Sequence, residues 1–131
     1  MKKLAAYLFV SGAFLASCKK EVPYAQEGIT AVSIEFNLPA QNEQITVGEE
    51  THIEGIIDAD EMMGGWDVLI TKVGEGDTIL QYGEYYEQTQ YVFHHHWYPQ
   101  MNAVGQLEIE VRALTKDGVI LERASRTVSC N

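Results

Sequence analysis

From Ile29 to the C-terminus the chain alternates apolar and polar residues with a period of two, and it never sustains a helical period there. Alternation sends successive side chains to opposite faces of a strand, so such a segment buries one face and wets the other. "QLEIEVRAL" is the clearest case: Leu107, Ile109, Val111 and Ala113 fall on one side, Glu108, Glu110 and Arg112 on the other. "TAVSIEF" groups Val32, Ile34 and Phe36, and "THIEGII" sets Ile53, Gly55 and Ile57 against His52, Glu54 and Ile56. "GWDVLITKV" groups Trp66, Val68 and Ile70 before stopping at "GEGD". "TILQYGEYY", "TQYVFHHHW" and "VILERASRTVSC" complete the set, the last entered through Asp117-Gly118, which supplies the positive φ of a tight hairpin turn. Seven short strands in about a hundred residues predict an all-β fold, a seven-stranded antiparallel two-sheet sandwich over residues 29–131.

The chain before this region has a different character. Lys2 and Lys3 precede an apolar stretch, Leu4 to Leu15, that is too short to span a bilayer. This is the layout of a secretory signal. At its end, Leu15-Ala16-Ser17-Cys18 resembles the lipobox of bacterial lipoproteins. The resemblance implies cleavage of residues 1–17 as a lipoprotein signal peptide and attachment of lipid to the thiol of Cys18. "KKEVPYAQEG" is polar and contains Pro23, so residues 18–28 read as the lipidated cysteine and a short tether. Each buried methylene of an acyl chain contributes about 0.8 kcal/mol of membrane affinity, so a multiply acylated Cys18 holds its protein at the cell envelope. The expected address is the outer membrane, with the domain facing the periplasm or the outside.

Cleavage leaves 114 of the 131 residues, enough for one domain. It also leaves seven of the nine basic residues against 19 acidic ones, a formal charge of −12. Such a surface repels nucleic acid and anionic headgroups, so contact with the membrane falls to the lipid. Two cysteines in an exported protein ordinarily pair, but a lipidated Cys18 leaves Cys130 without that partner.

Across nearly its whole length the sequence resembles immunoglobulin-like modules of small lipoproteins from Bacteroidota-type bacteria. The residues that carry the likeness are the lipobox, Pro39 before a turn, Gly48 leading to "HIEG", "GGWDVLI", "HHHWYP", and "ALTKDGV" running into "TVSC". The resemblance implies an immunoglobulin-like sandwich with Trp66 in its core, and the usual cysteine pair between sheets is missing. It implies little about activity, because the fold hosts many roles.

In that topology the second and fifth of the seven strands are antiparallel neighbours, which brings His52 near His94 to His96. Tyr91, Phe93 and Trp97 are bulky and claim the core face, taking His95 with them. His94 and His96 then point outward, as does His52. Three imidazoles on one sheet face form a first shell for Zn(II), Cu(II) or Ni(II). Cys130, Glu75 and Asp77 are further donors expected near the same pole. Solvated histidines at a strand end fit the same pattern, and no zinc-finger or HExxH spacing is present.

Two weaker constellations accompany this one. Asp58, Asp60 and Glu61 are placed in the loop after the second strand, at the same end as Asp117, where hard carboxylate oxygens suit Ca(II) or are simply solvated. Tyr85 and Tyr86, among interleaved Glu and Gln, suit stacking on a sugar ring or a protein partner, or else ordinary strand packing. No nucleophile elbow or phosphate-cradling glycine loop occurs, and Cys130 beside the terminal Asn131 is expected on a mobile chain end. The sequence therefore reads as a non-enzymatic binding or structural module with a protein partner in the cell envelope. A carbohydrate-binding accessory lipoprotein is the alternative.

Overall fold

A computed structural model describes residues 31–131; the expected signal peptide and tether, with Cys18, lie outside them. The strands are β1 (Val32–Leu38), β2 (Gln44–Ile45), β3 (Thr51–Met63), β4 (Gly65–Lys72), β5 (Thr78–Glu84), β6 (Gln88–Trp97), β7 (Gly105–Leu114) and β8 (Ile120–Cys130). A 3-10 turn, Met101–Ala103, lies between β6 and β7. No helix among the described residues is long and apolar enough to cross a membrane. One sheet has the order β1-β3-β6 and the other β2-β8-β7-β4-β5. The fold class is the expected two-sheet sandwich, with eight strands among the described residues in place of seven. The additional strand, β2, has two residues and runs parallel to the end of β8, which is too short to show any alternation.

The inner faces are the apolar sets that alternation picks out. Ile53, Ile57, Val68, Ile70, Leu107, Ile109 and Val111 are completely buried, and Trp66 lies among them. Full burial of one such aliphatic side chain stabilises by roughly 1.5–3 kcal/mol. Gly55 is part of this packing. It faces Phe93 across the β3–β6 ladder, and a Cβ there would come within 2.5 Å of Phe93 Cζ and 2.1 Å of the Glu35 carbonyl oxygen. The missing side chain lets the Phe93 ring lie over the strand, edge-on to Phe36 and 5.3 Å from Trp66 of the opposite sheet.

Each seam between the sheets is closed by one polar-aromatic contact. On one side the Arg126 guanidinium of β8 sits 4.8 Å over the Phe36 ring of β1 and donates to the Phe36 carbonyl. On the other, Tyr82 of β5 stacks on His95 of β6 at 4.2 Å and 22°. Burial there holds the His95 imidazole below the ordinary histidine range.

Two expectations about loops change. β3 continues through Asp58–Glu61, so these residues are strand and not the loop after it. Val32 and Ser33 of β1 pair with Ala59 and Asp58, and this ladder extends the strand, with Val32 and Ala59 packed against the edge of the core. The chain end is also pinned, because Asn131 N–H donates to the Ile45 carbonyl and its own carbonyl accepts from Val47. Cys130 is consequently buried, and burial pushes its thiol pKa up.

Candidate metal centre

The outer face of the three-stranded sheet carries the histidines. β3 is central and β6 is an edge strand, with His52 opposite His96 and Glu54 opposite His94. Because bulky Tyr91, Phe93 and Trp97 are buried on the inner face, alternation forces His94 and His96 outward, while His95 is half-buried on the inner side. The pleat does the same for His52 and Glu54 on β3.

The three rings touch. His94 and His96 stack at 4.5 Å and 20°, and the His52 ring lies 4.5 Å from His96 and 5.1 Å from His94. One ring nitrogen of each lies within 4.8 Å of the other two. Their side chains keep 37%, 48% and 47% of their accessible surface, so an ion reaches them without opening the core.

Two carboxylates complete the cluster. Glu54 Oε2 lies 3.2 Å from His52 Nδ1 and 2.9 Å from His94 Nε2. Glu50, in the turn just before β3, places Oε1 3.2 Å from His52 Nε2 and its other oxygen against His96 Nδ1. The contact with Glu54, and then that with Glu50, raises the His52 pKa above the histidine norm. The contact with His96 is the main cause that lowers the Glu50 pKa, and the Glu50 charge in turn raises that of Tyr98. Glu50 and His52 also line an open cleft of about 240 Å³ with Leu38, Pro39, Gln44 and Thr46, which leaves this edge of the cluster accessible to solvent.

Glu50 and Glu54 are the residues that sequence reasoning did not assign to the site. The alternation of β3 already puts Glu54 on the face of His52, and Glu50 lies two residues ahead of it. The other expected donors are elsewhere: Cys130 is buried between its ladder neighbours Ile45 and Gly105, and Glu75 and Asp77 belong to the β4–β5 turn.

The acidic and aromatic constellations have their own partners. Asp58 accepts from Gln90 Nε2 at 2.7 Å across the ladder, and Asp60 accepts from the Ala31 N–H at 3.2 Å. With Glu61 and with Asp117 of the β7–β8 turn they form no three-donor group among the described residues. Tyr86 is edge-on to Tyr91, whose hydroxyl donates to the Tyr86 carbonyl. The Tyr85 ring spans Gly65 and Gly83, where a Cβ on either would come within 3 Å of it. Asp67 lies beneath it, also within 3 Å of a Cβ at Gly83. Asp67 is buried and takes two hydrogen bonds from Arg112, Nε at 2.8 Å and Nη2 at 2.7 Å.

No protein-family model and no curated protein matches the chain. Solved structures do. The CARDB domain of a Pyrococcus furiosus protein, solved in complex with di-metal ions, superposes with a TM-score of 0.50 at 13% identity, over 79% of this chain and 90% of that one. Fibronectin(III)-like modules of Clostridium thermocellum CbhA give 0.48 at 20% identity, over 76% and 96%. A chitin binding domain from Burkholderia pseudomallei gives 0.45 at 13% identity, over 70% of this chain and 57% of that one. At such identities the likeness is one of fold alone, and the fold is an immunoglobulin-like β-sandwich.

Proposed function

We propose that this chain is an exported, lipid-anchored immunoglobulin-like module that binds a divalent transition-metal ion on its histidine face. It acts without catalysis, beside a protein partner in the cell envelope. The observation that carries the metal reading is the convergence of His52, His94 and His96 from two adjacent strands, with ring nitrogens within 4.8 Å of one another. Imidazole nitrogen suits Zn(II), Cu(II) and Ni(II), and the excess of acidic residues draws cations to the surface. The lipobox at Leu15–Cys18 supports the anchor.

Calorimetry with Zn(II) and Cu(II) tests the metal reading: stoichiometric binding by the wild type, lost in His52→Ala, is the expected outcome. Absence of binding by the wild type sinks it. Metabolic labelling with a palmitate analogue tests the anchor, since Cys18→Ala must lose the label.

The glycan alternative rests on Tyr85, which keeps 65% of its surface exposed on an outer sheet face. A glycan screen with Tyr85→Ala and Tyr86→Ala separates the two: saturable binding that both changes abolish favours sugar.

A further inference from the structure

Three polar atoms of the cluster already form a closed triangle. His52 Nδ1 and His94 Nε2 are 3.0 Å apart, His52 Nδ1 and Glu54 Oε2 3.2 Å, and His94 Nε2 and Glu54 Oε2 2.9 Å. Donors bound to one ion at about 2.0–2.1 Å stand roughly 3.0 Å apart at right angles and roughly 3.3 Å apart in a tetrahedron. The triangle needs to open by no more than a few tenths of an ångström to receive an ion just above its plane. The group of three histidines is looser: its nitrogens lie within 4.8 Å of one another, while two donors of one ion cannot exceed about 4.2 Å. His96 is also engaged elsewhere, through Nδ1 on Glu50.

The same Glu50 reaches His52 from the far side, at Nε2. A metal-ligating histidine commonly gives its second ring N–H to a carboxylate, which fixes the tautomer that leaves the other nitrogen free to coordinate. Glu50 is placed to do this for His52, freeing Nδ1 to face the triangle.

Resting on the metal reading above, we infer that the ion is held by His52 Nδ1, His94 Nε2 and the Glu54 carboxylate, with Glu50 orienting His52 and His96 outside the coordination sphere. Two nitrogens and one charged oxygen select a borderline divalent ion such as Zn(II) over soft Cu(I). Three protein donors on an exposed face leave a position open to water or to a small anionic ligand.

Calorimetric titration of the full chain with Zn(II) alone distinguishes the donor sets. His94→Ala and Glu54→Gln should each weaken binding at least about 100-fold, Glu50→Gln about 10–100-fold, and His96→Ala less than about 10-fold. Electron paramagnetic resonance of the Cu(II)-loaded protein should show coupling to two nitrogens. In the Zn(II)-loaded protein, long-range proton–nitrogen correlation should find the His52 proton on Nε2, and Glu50→Gln should loosen that preference without lowering the melting temperature of the metal-free protein. Loss from His96→Ala equal to that from His94→Ala, with Glu54→Gln near wild type, overturns this assignment while leaving the metal reading intact. A wild type that binds no Zn(II) overturns both.

Discussion

His52 stands opposite His96 in the β3–β6 ladder, yet its Nδ1 meets Nε2 of His94, one step along the same face, at 3.0 Å. In an antiparallel pair both the direct partner and the diagonal neighbours are within reach of long side chains. One imidazole on the central strand therefore contacts two on the edge strand, and two carboxylates fill the gaps on either side. This arrangement uses only the outer pleat. The inner pleat of the same two strands holds Phe93 over Gly55, so site and core are built from alternate positions and change independently.

Gly55→Ala tests that core. The added methyl group would meet the Phe93 ring, which can turn, and the Glu35 carbonyl of β1, which cannot move without breaking the ladder. Overpacking of this kind costs about 1–3 kcal/mol, and the backbone clash places Gly55→Ala at the upper end. Urea denaturation should show the loss. Phe93→Leu in the same chain should not restore it, because the clash with the carbonyl remains.

The Asp67–Arg112 pair joins β4 and β7 on the outer face of the larger sheet, with the Asp67 side chain 3% exposed and that of Arg112 18%. Truncating one partner strands the other charge away from water. Asp67→Ala should cost about 3 kcal/mol, near the lower end for a broken buried pair, since Arg112 keeps some solvent contact. Replacing both residues by apolar ones, Asp67→Leu with Arg112→Met, should recover most of that loss in thermal melts. A double variant as unstable as Asp67→Ala would show that Tyr85, which covers the pair, depends on its charge.

Tyr91 gives the fold an alkaline limit. Burial pushes its phenol up to about 12, against about 10 in an unfolded chain. The fold accommodates the neutral form, so this contribution is whole below pH 10 and is lost as pH rises towards 12. The loss amounts to about 2–3 kcal/mol. Tyr91→Phe should cost about 1 kcal/mol at neutral pH, through the hydrogen bond to the Tyr86 carbonyl. It should also flatten the decline between pH 10 and 12, as read from denaturant midpoints.

Much of this architecture is legible in the chain. Tyr91, Phe93 and Trp97 are too bulky for any face but the inner one, and that alone orients the three histidines. β2 is illegible because it is held by backbone pairing to β8 and not by a pattern of side chains. Asp58 to Glu61 look like a loop because three of the four are acidic, while the pairing of Asp58 and Ala59 with Ser33 and Val32 of β1 is a tertiary contact that composition does not show. Glu50 precedes its strand, so no periodicity assigns its direction. Cys130 looks mobile because its neighbour is the last residue, and only the tertiary bonds of Asn131 to Ile45 and Val47 fix it.

Metal binding should also register as stability, because an ion that binds only the folded chain shifts the unfolding equilibrium by mass action. At a free Zn(II) concentration one hundred times the dissociation constant, the gain is about 2.7 kcal/mol. For a domain of about a hundred residues this raises the melting temperature by on the order of 10 °C. A chelator should reverse it. His52→Ala and His94→Ala should abolish the shift yet leave the metal-free protein within about 0.5 kcal/mol of wild type, because both side chains are substantially solvent-accessible. His95→Ala should keep the shift, since His95 faces the opposite side and stacks on Tyr82. The shift should shrink in acid, because His52, whose pKa the contact with Glu54 raises above the histidine norm, takes up a proton in place of metal. A zinc-induced shift that survives both His52→Ala and His94→Ala would place the ion elsewhere on this acidic surface and remove the histidine face from the account.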